Sequence, residues 1–271
     1  MTPVTSLPFP GAAASAGTVD PAALLDLALR AASAAGDELI KRYGFIQGLD
    51  SKSSATDPVS DADRASEALL VEMITAQRPD DGILGEEGAD RESRSGLRWV
   101  IDPLDGTVNY IYGIDEWAVS VAIEDLDGPL VGVVRNPVSG RTYSAVRGGG
   151  AFRDGKPIRV NDPVPAARAL LATGFSYTAE RRIKQSAFMA RLLPQIRDLR
   201  RCGSAALDVC MVADGQVDAF YEEGVNWWDV AAATVICREA GGVDSRVSPA
   251  GAAPGYLFAG PGLHKELTNL F

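Results

Sequence analysis

The segment Trp99-Val100-Ile101-Asp102-Pro103-Leu104-Asp105-Gly106-Thr107 puts two carboxylates three residues apart where an apolar run enters a turn. Pro103 pushes Asp102 towards an extended backbone, and Gly106 lets the chain turn without a side-chain clash. Carboxylate oxygens aimed at one spot suit Mg²⁺, a hard cation that keeps few protein ligands beside water and substrate phosphate. The same residues also read as a turn with a helix cap, because Asp-Pro and Asp-Gly are common punctuation. Three other stretches place acids at segment ends. Glu86 and Glu87 follow the apolar pair Ile83-Leu84, and paired glutamates also suit a solvated loop. Asp57 lies in Asp57-Pro58-Val59-Ser60, where it would serve equally as a helix-entry turn. Asp229 stands between Trp227-Trp228 and an alanine-rich run, where a helix N-cap and a metal ligand are compatible roles.

Composition narrows the chemistry. With one histidine, His264, near the C-terminus, any catalysis proceeds without a histidine base, and His264 reads as a surface residue of a terminal helix. Lys plus Arg total 26 against 36 Asp plus Glu, and no basic run offsets the net charge of −10, so direct nucleic-acid binding is not expected. Three cysteines without CxxC spacing exclude a disulfide framework or zinc ribbon and fit a reducing, cytoplasmic setting. At 46% hydrophobic and 23% charged, the 271 residues can bury a real core. Residues 1–19 have neither a cationic start nor an apolar run, and read as a disordered tail rather than a secretory signal. The alanine-rich stretch from Ala22 to Ala35 is broken by Asp26 and Arg30, which excludes a membrane span there.

The elements that must carry these acids follow from pattern. Asp20 and Pro21 cap an amphipathic helix over 22–35. A second helix starts at Ser60, where Ser60 and Asp63 have capping-box-like spacing, and Pro79 stops it. Strands are expected at 97–101, 118–123, 130–134 and 142–146, then a hairpin turning at Asp154-Gly155. The second half alternates a strand at 169–173, helices at 179–193 and 204–213, a strand at 217–221 and a helix at 230–240. This pattern predicts a mixed α/β architecture, antiparallel-rich at first and helix-interleaved later.

TDPVSDAD (56–63), GEEG (85–88), WVIDPLDGTVNY (99–110) and WWDVAAATVICREAGG (227–242) resemble the inositol monophosphatase family of Mg²⁺-dependent, lithium-sensitive sugar phosphatases. RGGGAFRDGKPIRV (147–160) and CGSAALD (202–208) fall between them in family order, so the resemblance covers roughly residues 22–265. It implies a layered αβαβα sandwich forming one domain over 20–271, with subregions of about 20–160 and 161–271, and a homodimer. By position, Glu86, Asp102 and the Leu104 carbonyl would hold one Mg²⁺, Asp102, Asp105 and Asp229 a second, and Glu86 with waters a weaker third. Asp57, Thr107 and Glu86 take the catalytic positions that prepare a metal-activated water. Substrate contacts fall to Asp105, Gly106, Thr107, Gly203, Ser204, Ala205, Glu222 and Asp229. Charge supports the need for metal: the four acids sum to −4 and a phosphate monoester brings about −2, so three Mg²⁺ would balance them.

The implied activity is hydrolysis of a small polyol phosphate, myo-inositol 1-phosphate foremost. Histidinol phosphate, fructose 1,6-bisphosphate and 3′-phosphoadenosine 5′-phosphate are served by relatives. A regulatory protein-binding role in transcription antitermination is the alternative of another class. Other features read as structural. Gly148-Gly149-Gly150 lacks the Gly-Lys-Ser/Thr of a phosphate loop, Trp227 and Trp228 suit packing, and Arg181-Arg182 and Arg200-Arg201 suit solvated faces, one of which could border the substrate mouth.

Overall fold

The computed structural model describes residues 20–44, 50–51, 58–59, 61–249 and 253–271. The tail over 1–19, Asp57 and Ser60 therefore lie outside the described residues. In chain order the first part holds α1 (Pro21–Arg42), β1 (Asp50–Ser51), β2 (Pro58–Val59), α2 (Asp61–Gln77), β3 (Gly82–Gly85) and β4 (Asp90–Arg91). Next come β5 (Arg98–Asp105), α3 (Thr107–Tyr112), β6 (Ala118–Asp125), β7 (Gly128–Arg135), β8 (Thr142–Val146), β9 (Ala151–Arg153) and β10 (Lys156–Pro157). The remainder is β11 (Leu170–Thr173), α4 (Ala179–Leu192), β12 (Asp198–Arg200), α5 (Ala205–Ala213), β13 (Ala219–Glu223), α6 (Trp227–Glu239), β14 (Val243–Val247), β15 (Gly255–Ala259) and α7 (Pro261–Leu270).

Side-chain alternation along the strands builds the layers. In β5, Trp99 and Ile101 face one core with α1 and α2, whereas Val100 faces another with α5 and α6. In β6, Val119, Val121 and Ile123 face the first core, and Ala118 and Ala122 the second. The large sheet runs β10-β9-β8-β7-β6-β5-β3-β4 and is antiparallel except where β3 meets β5. A five-stranded sheet, β12-β11-β13-β15-β14, covers the far side of α5 and α6. Phe220 and Phe258 turn inward from it, while Tyr221 and Leu257 turn outward onto α4 and α7. The result is the expected αβαβα sandwich.

Most expected elements form near their expected bounds. Asp20 caps α1, its carboxylate accepting from the Ala22 amide at 2.9 Å. Beyond Gly242 the chain contributes two strands and the terminal helix. His264 corrects the surface expectation: it is buried, its ring hydrogen-bonded to the Ser245 hydroxyl at 2.8 Å, because α7 lays that face on β14 and β15. Gly148 and Gly150 do form an anion cradle, but its occupant is internal. Their amides donate to the two oxygens of Glu239, at 2.8 and 2.9 Å.

The central helix α6 must sit against sheet on both sides, which is why Ala231, Ala232 and Ala233 are small. The closest approach is at Gly132 of β7, where a Cβ would stand 2.3 Å from the Ala232 carbonyl oxygen and 2.5 Å from Val235. Gly132→Ala should therefore lower unfolding stability by about 1–3 kcal/mol, read from the urea midpoint. An unchanged midpoint would mean that α6 is not seated on the sheet in this way.

Candidate active site

Asp102 and Asp105 lie near the end of β5, both almost fully buried. In a regular strand, residues three apart point to opposite faces. Here they do not, because the register shifts: Asp102 pairs with Ser120 and Asp105 with Ala118 on β6. Two residues separate the aspartates and one separates their partners, so a β-bulge rotates both carboxylates to one side. The Asp102 carboxylate accepts from the Leu104 amide at 3.0 Å, and the Thr107 hydroxyl donates to the Leu104 carbonyl at 3.1 Å. Gly106 then takes φ +96°, and a Cβ there would sit 3.1 Å from the Glu116 carbonyl oxygen. That conformation and that contact explain the glycine.

The other acids arrive from separate layers. Glu86 follows β3 in a turn that Glu67 of α2 holds, its carboxylate accepting from the Glu87 amide at 2.8 Å and the Ala89 amide at 3.0 Å. Asp229 occupies the third position of α6, and Asn226 is the N-cap in a capping box. Asp229 is therefore not the N-cap but stands three residues after it, and its carboxylate accepts from the Asn226 amide at 2.6 Å. Glu222 projects from β13 over Gly174, where a Cβ would collide with its carboxyl group. Asn109 of α3 ties the halves together by donating to the carbonyls of Glu116 at 2.6 Å and Cys202 at 2.7 Å.

Glu86, Asp102, Leu104, Asp105, Gly106, Thr107, Gly203, Ala205, Glu222 and Asp229 all line one cavity of about 520 Å³. Ser204 is buried just behind that wall, where its hydroxyl donates to Asp105. The Ala206 amide donates to the same carboxylate at 2.7 Å and the Ala205 amide at 3.3 Å, so the start of α5 is directed at Asp105. Several contributors were not singled out in the sequence. Glu67 and Asn109 fix loops through buried hydrogen bonds that no spacing announces. Of the arginine pairs and tryptophans that were named, Arg181, Arg201 and Trp228 join the cavity wall, so each arginine pair, and not only one, contributes a residue to the mouth.

Like charge packed this closely is costly. Burial, and then the carboxylates of Glu86, Asp105 and Asp229, push Asp102 far above the usual carboxylate range, and Glu86 is within hydrogen-bonding contact of it. Burial likewise raises Asp229, with Glu86 and Asp105 adding to the effect. Asp105 rises only to about 6, because the Ser204 hydroxyl and the Ala206 amide oppose its desolvation. Burial raises Glu222 to about 7. A set of converging, hard oxygen donors that resist ionising together fits a divalent cation, which relieves their repulsion. Asp63, Glu86 and Glu87 also bring one oxygen each within 4.8 Å of one another, beside this cluster.

Residues 20–268 match the inositol monophosphatase family. An inositol-1-monophosphatase of Mycobacterium leprae is 45% identical over 80% of this chain and 78% of its own length. A Nus factor SuhB of Pasteurella multocida is 40% identical over 91% of this chain and 94% of its own. Among solved structures, the extragenic suppressor protein SuhB of Bartonella henselae superposes with a TM-score of 0.84 at 31% identity, covering 92% of this chain and 98% of that one.

The raised carboxyls bind more protons folded than unfolded above pH 4, so their contribution to stability is complete below the ordinary carboxylate pKa and lost as pH climbs through about 6 for Asp105 and about 7 for Glu222. A divalent cation offsets that loss. Millimolar Mg²⁺ should therefore raise the thermal midpoint of chelator-treated protein by several degrees more at pH 8 than at pH 5. An equal rise at both values would dissociate the cation from these carboxylates.

Proposed function

Because the chain belongs to the inositol monophosphatase family and is a phosphoric monoester hydrolase, we propose that its substrate is a small polyol monophosphate, with myo-inositol 1-phosphate foremost, and its cofactor Mg²⁺. The observation that carries this reading is the meeting of Glu86, Asp102, Asp105 and Asp229, from separate elements, in one cavity with Glu222. Their donor chemistry suits two to three ions, shared as Glu86, Asp102 and the Leu104 carbonyl, then Asp102, Asp105 and Asp229, with Glu86 lending to a third. Bound there, the cations would offset the charge of the phosphate and make water a stronger nucleophile.

The chain's own groups then position the ester. Gly106 and Thr107 present backbone at the cavity wall where the scissile phosphate would rest. The Thr107 hydroxyl, oriented by the Leu104 carbonyl, faces the attacking water together with Glu86 and Asp57, the last placed by family resemblance alone. Glu222, with Gly203 and the Ala205 backbone, borders the polyol, and its carboxyl can accept a hydroxyl hydrogen bond. Ser204 acts through Asp105, which it holds in place. Among the described residues no helix is long and apolar enough to cross a membrane. We expect the enzyme to be cytoplasmic, as its three cysteines without CxxC spacing suggest, and a homodimer.

The relative named as a Nus factor favours a second reading, a protein partner in transcription antitermination. Asp105→Asn separates the two, since it should abolish hydrolysis and leave a scaffold role intact.

Phosphate release with Mg²⁺ from myo-inositol 1-phosphate, histidinol phosphate and 3′-phosphoadenosine 5′-phosphate tests the substrate. The inositol ester should dominate, and Asp102→Asn should lower kcat on the order of a hundredfold or more. Millimolar Li⁺ should inhibit. A preference of orders of magnitude for histidinol phosphate would refute the substrate assignment, and full activity in the variant would refute the metal site.

A further inference from the structure

The first turn of α6 has to hold Asp229 against Asp102, and the bonds inside that turn do not fix where the turn itself stands. Asn226 and Asp229 satisfy each other across the capping box, so they travel together with the helix end. Hydrogen bonds from β6 supply the missing reference. The Ser120 hydroxyl makes a long contact with the Trp228 carbonyl, at 3.5 Å, and the indole N–H of buried Trp227 donates to Glu124 at 3.0 Å. The second is the stronger of the two, because its acceptor is charged. Trp227, which reads as packing by its type, thus also carries a directed bond.

Glu124 is fully buried and is paired with Arg98, the first residue of β5, whose Nε donates to it at 2.6 Å. Strand register sets the geometry. Arg98 lies opposite Glu124, Val100 opposite Ala122 and Asp102 opposite Ser120. Alternate residues of a strand share a face, so Arg98 and Glu124 stand on the same side of the sheet as Asp102, the side that α6 covers. Ser120 and Glu124, four residues apart on β6, therefore grip two successive residues at the helix start. That ties the turn bearing Asp229 to the strand pair bearing Asp102.

Stability does not account for the ion pair. Taking both charges out of water costs about as much as their attraction returns, and apolar side chains of similar volume would hold the layers together equally well. What the pair does provide is orientation. Arg98 occupies one oxygen of Glu124, and the other accepts from the indole of Trp227.

We propose that Glu124 is a positioning residue for the metal site: fixed by Arg98, it anchors Trp227 and so sets where the Asp229 carboxylate stands relative to Asp102. This role rests on the reading of those carboxylates as Mg²⁺ ligands, and it gives Glu124 no contact with cation or substrate.

Calorimetric titration of the metal-free protein with Mg²⁺ tests it. Trp227→Phe keeps an aromatic ring and removes the donor. Arg98→Met combined with Glu124→Leu replaces the ion pair by apolar side chains, a change that should leave the thermal midpoint near that of wild type. Each of these variants should weaken Mg²⁺ binding about tenfold. Joining all three substitutions should weaken it no further, since both changes break the same contact. A merely structural pair would give a shifted midpoint with unchanged Mg²⁺ affinity, and that result overturns the proposal, as do losses that add. Trp227→Phe, which leaves the ion pair whole, decides alone if the paired variant does not fold. If wild type itself binds no Mg²⁺, it is the metal reading that fails. Positioning is then judged by hydrogen exchange of the amides over 226–232. Faster exchange there in Trp227→Phe, with the rest of the chain unchanged, supports it, and exchange equal to wild type refutes it.

Discussion

Mutual repulsion among buried carboxylates is the condition that the rest of the structure accommodates. Asp102 and Asp105 leave the same strand, Glu86 comes from a neighbouring turn and Asp229 from a helix between the two sheets. Left to themselves these groups would separate or hold protons. The fold keeps them together by satisfying the three aspartates with backbone or hydroxyl donors. The amides of α5 and the Ser204 hydroxyl take Asp105, the Asn226 amide takes Asp229, and the Leu104 amide takes Asp102. Glu67 works in the opposite sense, its own carboxylate accepting from the Glu87 and Ala89 amides to hold the turn that carries Glu86. These bonds fix orientation and leave further carboxylate lone pairs for a cation.

The sandwich makes this possible. Its middle helices pack on sheets from both sides, so α5 and α6 cannot shift relative to β5, and their first turns meet the cavity at Ala205 and Asp229. Small residues secure that rigidity, as where the Ala232 carbonyl rests over Gly132. Asn109 links the bulged strand end to the loop ahead of α5, so the groups on the two sides of the cavity are held by one side chain. Rigidity of this kind lets like charges stay at short range.

Much of this was legible in the sequence because the acids stand at turns marked by Pro and Gly. Asp102, Asp105 and Glu86 stand at such turns and Asp229 at a helix start, and the four line one cavity. What the spacing hid was the bulge that turns Asp102 and Asp105 to one face, since register is decided between strands and not within one. The Gly148–Gly150 run showed the reverse difficulty. Its backbone does bind a carboxylate, but that of Glu239, which only the packing of α6 could reveal. His264 reads as exposed by type and position, and is buried because β14 and β15, poorly marked among prolines and glycines, provide a surface for α7. The arginine pairs read as surface charges of which one could border the mouth, and the fold brings a member of each, Arg181 and Arg201, to the cavity.

The central claim is that these carboxylates form a site which ionises fully only when a divalent cation is bound. Calorimetric titration of the metal-free protein with Mg²⁺ near pH 6.5, in buffers of differing ionisation enthalpy, measures this directly. Binding should be accompanied by proton release, diminishing as the pH is raised to 8.5, where fewer protons remain on Asp105 and Glu222. Binding with the same heat in every buffer, or no binding at all, would contradict it.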